Sequence, residues 1–309
     1  MSAARLRAVV LAVALFCWVG TAGYGQTVLR WHFQEGASYK GRTVFRVKNE
    51  IKGPKGTFVT EIHQDLQMTV RVRSVASDGS AVLEETVDRI VLRIVVPGGG
   101  FTYDSDKGDM PAEPAVQQTV AALKPLVGAT AVAKVDARGT VLERKLPAAM
   151  RQLLQQDPTV RAVASQLFPS GSQSNQGLPV LPILPDRPVK IGDSWNLGAR
   201  ELVLPLITLR FDARYTYLGR ERTERGMCHK LGIRTLLKSK PAAGAPVKME
   251  VIKSSGKGEA YIDEGLTYLV KSRARQVIEF LVKGEKEEFQ YKVTSEVSFE
   301  LVPQRASEK

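Results

Sequence analysis

Regular alternation of apolar and polar residues limits the fold of this chain more than any other feature of its sequence. Alternation runs through residues 39–47, 62–72 and 208–218. It is clearest in 288–301, where the apolar side of the alternation includes Phe289, Tyr291, Val293, Val297, Phe299 and Leu301. Successive side chains of a strand point to opposite faces, so each run predicts a strand with one apolar and one wet face. The apolar faces must be covered by another layer of the protein.

Two motifs occur twice and in the same order. The first is a Gly-x-Ser-aromatic tetrapeptide, at 36–39 and 192–195, and the second is an Asp-to-Gly turn, at 136–139 and 263–265. An Asp that begins a turn and a Gly that adopts a positive φ are typical of β-hairpins. The repeated order predicts an internal duplication. We interpret the hairpins as markers of the fold of each copy rather than as a functional site.

Two regions have a helical period instead. Residues 114–124 begin with Pro114 at a favourable first helical position, and residues 146–168 form two amphipathic pieces that meet at Pro158. The sequence therefore predicts a mainly β fold with a few α-helices, of the α+β class. We expect two curved antiparallel sheets, each shaped like a half-barrel, at 26–168 and 190–303. The helices would cover the apolar face of the first sheet.

Residues 169–189 are predicted to link the two units. Their first part is rich in Ser and Gly, and their second part has prolines at three-residue spacing, namely Pro179, Pro182, Pro185 and Pro188. This spacing favours a polyproline II rod. We interpret it as a stiff strap rather than a ligand for a proline-reading partner, because the apolar residues between the prolines need to be covered. Residues 304–309 are expected to form a disordered tail.

Residues 1–25 have the three-part layout of a secretory signal peptide. Arg5 and Arg7 precede an apolar run at 8–19, which small residues follow. The run is too short for a permanent transmembrane helix. We expect an exported protein, periplasmic or extracellular, with no transmembrane segment after cleavage. A lipid anchor is not expected, because Phe16 rather than a small residue precedes Cys17. Cys228 is then the one remaining cysteine, which rules out an intramolecular disulfide and favours a buried thiol.

The chain is basic, with 44 Lys and Arg against 32 Asp and Glu and a net charge of +12. In an exported protein, this charge suits anionic polymers of the envelope or phospholipid headgroups. Nucleic acid is not an expected partner, because the basic residues are spread over many predicted strands without the aromatic-basic motif of a nucleic-acid reader.

No set of residues has the spacing of a catalytic centre. The chain has three histidines, and the segment around Ser194 lacks the second Gly of a nucleophile elbow. Cys228 and His229 are adjacent, so in a strand they would point to opposite faces. We therefore expect no enzyme activity, no cofactor and no transition-metal site.

One acidic loop is a candidate for a hard cation. It carries Asp104, Asp106 and Asp109, whose carboxylates are the ligands that calcium prefers. The calcium-loop pattern is incomplete, because Ala115 stands where a closing Glu would be expected. A solvated loop is therefore the simpler interpretation.

Several short segments resemble a family of exported bacterial proteins of unknown function. They are WHFQEGASY at 31–39, FTYDS at 101–105, VDARGTV at 135–141, IGDSW at 191–195 and GEAYIDEGLTYLV at 258–270. The resemblance implies export and assigns no catalytic residue. By architecture alone, the predicted fold is also similar to periplasmic lipoprotein carriers, in which a curved sheet wraps an apolar groove lidded by helices.

The first functional hypothesis is a non-catalytic envelope protein that binds a hydrophobic or lipid ligand between the sheet and the helices. The groove candidates are the apolar residues of one predicted strand and the second helical region, namely Leu66, Met68, Val70, Met150, Leu153, Leu154, Val160, Val163 and Leu167. The alternative is a structural or scaffolding protein whose basic faces contact anionic envelope polymers or another envelope protein. The sequence does not indicate an oligomeric state.

Overall fold

The fold is known from a computed structural model, which describes residues 25–54, 56–108, 114–148, 150–152, 181–203, 207–241, 248–284 and 287–302. Almost all of the predicted signal peptide, most of 146–168 and the predicted tail lie outside these ranges. The domain boundaries drawn from the sequence stay predictions.

Twelve strands form one antiparallel sheet. In chain order they are β1 (Ser38–Gly53), β2 (Gly56–Val75), β3 (Ala81–Val96), β4 (Gly99–Asp104), β5 (Thr130–Val135), β6 (Val141–Lys145), β7 (Ser194–Val203), β8 (Ile207–Thr223), β9 (Gly226–Pro241), β10 (Lys248–Asp263), β11 (Leu269–Lys283) and β12 (Glu288–Leu301). Their order in the sheet is β6-β5-β3-β2-β1-β12-β11-β10-β9-β8-β7. Strand β4 is not part of this order and pairs with β3.

The predicted α+β class with two half-barrel units is wrong. The described residues are about 70% strand and 5% helix, with one complete α-helix, α1 (Pro114–Leu123), followed by a 3-10 turn at Lys124–Leu126. The two halves join into a single sheet because β1 and β12 pair from Gly41 opposite Leu301 to Lys52 opposite Gln290. Alternation identifies the apolar face of each strand but does not say which strand pairs with it. The pairing of β1 with β12 leaves neither of these long strands as an open edge of a sheet.

The predicted internal duplication stays a prediction. The Asp-to-Gly turns do lie in hairpins, between β5 and β6 and between β10 and β11. The sheet follows the order of the chain outward from β1 on one side and from β12 on the other. A meander of this kind has the same strand order with or without a repeat.

The largest apolar cluster shows that the sheet is strongly curved. It contains Val141 from β6 and Tyr217 from β8, which lie near opposite ends of the sheet. In a flat sheet, nine strand spacings of about 4.8 Å would separate these strands by about 43 Å. Their side chains belong to one core because the sheet bends around its apolar face.

Two segments without strand structure fill the inside of this curve. We call residues 25–33 the N-terminal segment and residues 181–189 the strap. They pair through Thr27 and Val189, whose backbone groups form hydrogen bonds of 2.8 and 2.9 Å. Trp31 in the N-terminal segment is 1% exposed, and Leu184 in the strap is fully buried. The strap is therefore part of the core of the described structure.

The N-terminal segment ties the two Asp-to-Gly hairpins together. The backbone N–H of Trp31 donates to Ala137 O in the first hairpin at 2.7 Å, and that of His32 donates to Leu266 O in the second at 2.9 Å. Trp31 Nε1 also donates to Pro182 O of the strap at 3.2 Å. Both hairpins consequently meet at one end of the curved sheet.

Each hairpin is held by its aspartate. Asp136 Oδ1 accepts hydrogen bonds from the N–H groups of Arg138 and Thr140 at 2.9 and 2.8 Å. Asp263 Oδ1 accepts from the N–H groups of Thr267 and Tyr268 at 2.6 and 2.7 Å. These bonds satisfy amides that the tight turns would otherwise leave without partners.

Gly139 is the glycine on which the first hairpin depends most. Its φ is +89°, and a Cβ at this position would lie 2.7 Å from Trp31 Nε1 and 3.0 Å from Pro182 O. We predict that Gly139→Ala lowers the free energy of unfolding by the left-handed backbone cost of about 1–2 kcal/mol plus about 1–3 kcal/mol of steric conflict. Urea unfolding measures the loss.

Gly98→Ala is the matched control. Gly98 has a φ of +88° with no atom within 4 Å of its added Cβ, so it should show the backbone cost alone. Equal losses in the two variants would mean that the hairpin is not packed against Trp31 and the strap.

Candidate functional site

The described residues form an apolar pocket beside the strap. Its walls come from β1, β2, β3, β11 and β12, from Phe33 of the N-terminal segment, from Leu181 of the strap and from the turn at Thr267 and Tyr268. It encloses about 500 Å³ of empty space, part of it open to solvent, and its lining is almost entirely apolar. The sheet therefore forms one side of the pocket, and the N-terminal segment, the strap and the turn form the other.

Aromatic rings shape this pocket. The rings of Tyr39 and Tyr268 lie with their centroids 5.3 Å apart, tilted by 38°. The Phe299 ring lies against Gly41, where a Cβ would clash with it. Burial raises the pKa of both tyrosine hydroxyls. Both hydroxyls therefore stay neutral at ordinary pH and can donate hydrogen bonds without bringing charge to the pocket.

Two of the residues predicted to form a groove line this pocket. They are Met68 and Val70, on the apolar face of β2. Leu66, Met68 and Met150 are buried in a second cluster, where α1 packs on the sheet through Val120 and Leu123. Leu153, Leu154, Val160, Val163 and Leu167 lie outside the described residues. The pocket thus lies further along β2 than the helix, at the end that faces the strap.

Other pocket residues were missed by the sequence analysis. Tyr39 and Phe299 lie on the predicted apolar faces of β1 and β12, so alternation could have identified them. Phe33, Leu181 and Tyr268 come from a non-strand segment, the strap and a turn. No periodic pattern marks these three, because tertiary contacts alone bring them to the pocket.

A buried ion pair lies beside the pocket. Glu85 of β3 is directly opposite the pocket residue Val70, and its Oε2 is 2.9 Å from a terminal nitrogen of Arg144. The two side chains are 1% and 3% exposed. Removing one partner of such a pair leaves a buried charge without compensation.

We predict that Glu85→Gln lowers the free energy of unfolding by about 3–5 kcal/mol. Glu84→Gln is the control on the opposite face of the same strand, since the Glu84 side chain is 30% exposed and 3.7 Å from Arg73. It should cost less than about 1 kcal/mol. Urea unfolding of both variants checks the difference, and a loss in Glu85→Gln no larger than in the control would contradict the importance of the pair.

His229 is buried at the hairpin end of the sheet. It is 2% exposed, and its Nδ1 lies 3.1 Å from the Tyr217 hydroxyl. Burial lowers the pKa of His229, and Arg220 lowers it further, while Glu264 and Asp263 act in the opposite direction. Its neighbour Cys228 is a free, buried thiol, as the sequence predicts.

The lowered pKa of His229 predicts a pH-dependent stability. The unfolded chain binds a proton below the ordinary histidine pKa of about 6.5, whereas the folded chain does so only at lower pH. Stability should therefore be complete above this pH and fall as the pH drops from about 6.5 toward 5. Thermal unfolding of His229→Gln should show a weaker decline over this interval. A variant that declines as steeply as the wild type would contradict the assignment.

Two carboxylates of the acidic loop form ion pairs with an arginine. Arg89 lies 2.6 Å from Asp104 Oδ2 and 3.1 Å from Asp106 Oδ2, and its guanidinium lowers the pKa of Asp104. Asp109 lies outside the described residues. Within the described ranges, no three His, Cys, Asp or Glu side chains are grouped so that they could hold a metal ion. The calcium site stays a prediction.

Comparison with known proteins finds no match by sequence and only distant structural similarity. No family model matches the sequence, and no curated protein matches it either. Among solved structures, a lipovitellin chain from a study of lipid–protein interactions matches with a TM-score of 0.47 and 13% identity, over 90% of this chain and 26% of that one. This chain thus spans about a quarter of the lipovitellin chain.

Two further structures illustrate the range of the similarity. Pseudomonas aeruginosa OccK2 matches with a TM-score of 0.26 and 6% identity, over 89% of this chain and 100% of that one. A Bacteroides fragilis protein described as exported, with a YmcC-like fold, matches with a TM-score of 0.21 and 10% identity, over 87% and 98%. At these TM-scores the matches do not indicate what this chain binds. None of the helices in the described residues is long and apolar enough to cross a membrane.

Proposed function

We propose that this protein is an exported, non-catalytic binding protein that holds the apolar part of a hydrophobic ligand, such as an acyl chain, in the pocket beside the strap. The observation that carries this proposal is the nearly complete absence of polar atoms from the lining formed by the described residues. An apolar pocket that is open to water gains stability when apolar groups of a ligand replace the water.

The side chains that line the pocket support an apolar ligand. Its walls are aliphatic side chains and aromatic rings. Each methylene that leaves water contributes about 0.8 kcal/mol.

Filling the pocket tests this function. Val70→Trp places a large ring in the pocket, and displacement of two methylenes should weaken binding of a fluorescent fatty acid by about tenfold. Arg71→Trp introduces the same residue on the exposed face of the same strand and should bind as the wild type does. Fluorescence titration measures affinity, native mass spectrometry detects lipid carried through purification, and thermal unfolding confirms that both variants are folded.

Two outcomes would overturn the proposal. One is wild-type protein that neither carries nor takes up lipid in both assays. The other is a folded Val70→Trp variant with wild-type affinity, which would place any lipid elsewhere on the molecule.

The alternative function, contact with an anionic envelope polymer, has a separate basis. It is favoured by a row of cationic residues on the face of the sheet opposite the pocket.

A further inference from the structure

Four cationic side chains lie directly opposite one another on four adjacent strands. Arg214 of β8 pairs in register with Arg234 of β9, Arg234 with Lys257 of β10, and Lys257 with Arg275 of β11. Residues in direct register point to the same face, so these side chains form a row across the strands. With about 4.8 Å between strands, the row is about 14 Å long. We call it the cationic row.

The cationic row lies on the outer face of the sheet. All four side chains are exposed, whereas the neighbouring residues Tyr217, Leu231 and Ala260 on the other face of the same strands are buried in the core. In the same register, Arg275 is followed by Glu296 of β12, and Glu296 is followed by Arg46 of β1. This line of residues therefore crosses the junction between the two halves of the sheet.

Acidic residues do not neutralise the centre of the row. Arg275 is paired with Glu296 at 3.4 Å, and Arg214 Nε donates to the Asn196 side chain at 3.1 Å. Within the part of the chain that the structure describes, Arg234 and Lys257 have no ion pair within 4.0 Å. Like charges directly opposite each other destabilise a sheet. A row of four is thus a cost to the fold that binding of an anion would remove.

A groove follows the cationic row. Its space of about 1440 Å³ includes open solvent. It is lined by the row and by Ser194, Thr216, Leu218, Gly232, Ile233, Gly258, Glu259, Arg273 and Ala274. Gly232 lies opposite Thr216, and the Leu218 side chain packs 3.2 Å from the place that a Cβ of residue 232 would take. The hydroxyls of Ser194 and Thr216 lie 2.8 Å apart at the edge of the groove. The groove thus offers guanidinium and ammonium donors along its length and hydroxyls at one end.

We propose that the cationic row binds a linear acidic polysaccharide, laid across the strands with its anionic groups on successive arginine and lysine side chains. Arginine binds carboxylate and phosphate groups through two parallel hydrogen bonds, and a row spaced at about 4.8 Å meets a chain with regularly repeated charges. The site is on the opposite face from the lipid pocket and does not depend on it.

The surroundings of the row favour a single chain over a membrane surface. Exposed Glu259 lies beside the row, where it binds Lys230 at 3.3 Å, and Glu296 interrupts it. These carboxylates would meet the headgroups of a flat anionic bilayer but leave room for a narrow polymer. The described residues that line the groove include no aromatic side chain, on which the bases of a single-stranded nucleic acid would stack.

The test uses the full mature chain and polygalacturonate as the probe. We expect binding at low salt that weakens as salt is added, because neutralised cations release counterions. The double variant Arg234→Gln, Lys257→Gln should bind about tenfold more weakly, with a smaller dependence of affinity on salt. The control variant, Lys238→Gln with Lys240→Gln, removes two exposed charges from the same strand away from the row and should bind as the wild type does.

Thermal unfolding gives a second measurement. Without polymer at low salt, the Arg234→Gln, Lys257→Gln variant should have a midpoint at least as high as the wild type, because repulsion within the row is relieved. Polygalacturonate should raise the wild-type midpoint more than that of the variant.

The outcomes separate the alternatives. Absence of polygalacturonate binding at low salt, or equal binding by the wild type and the row variant, would overturn the proposal. Row-dependent binding to phosphatidylglycerol vesicles or single-stranded DNA that exceeds binding to polygalacturonate would assign the row to those partners instead. Uptake of fatty acid by the row variant is expected to be unchanged, so failure here is distinguishable from failure of the lipid-binding function.

Discussion

The curvature of the sheet depends on hydrogen bonds from two consecutive residues. The N–H groups of Trp31 and His32 bind carbonyl oxygens in two hairpins that are more than a hundred residues apart in the chain. Because an unsatisfied buried amide is costly, these bonds fix the distance between the two halves. The strap adds to this junction through Pro182 O, which accepts from the Trp31 indole. The apolar pocket exists because the sheet is held in this curve while Phe33 and Leu181 are placed against it.

The two candidate binding surfaces use opposite faces of one sheet and share strand β11. In β11, Arg273 and Arg275 line the outer groove, while the side chains of Ser272 and Ala274, which alternate with them, point to the other face of the strand. The period of two keeps the faces chemically separate, so one strand can carry apolar residues for a core and cations for a surface. Charge added to the outer face therefore need not disturb the pocket. This separation explains how a strongly basic chain can also build a large apolar interior.

Several features of the structure lower the stability of the fold. Like charges oppose one another in the cationic row, Leu266 has a positive φ of 57°, and the Glu85–Arg144 pair is buried. Leu266 occupies the turn that accepts the hydrogen bond from His32, so its left-handed backbone belongs to the junction of the two hairpins. The buried pair lies next to the pocket, where the Glu85 carboxylate depends on the Arg144 guanidinium to compensate its charge. These costs are concentrated near the hairpin junction, the pocket and the outer groove.

The sequence by itself determined the strands, their faces and the two Asp-to-Gly turns, because these depend on neighbouring residues and on the period of two. It predicted the apolar side of β12 and the burial of Cys228 correctly. It could not determine that β1 pairs with β12, since a strand's alternation is compatible with many partners. Only the tertiary structure decided that one sheet forms instead of two, that Phe33 and Leu181 reach the same pocket, and that four cations come into register. Each of these depends on contacts between residues far apart in the chain, which no local pattern records.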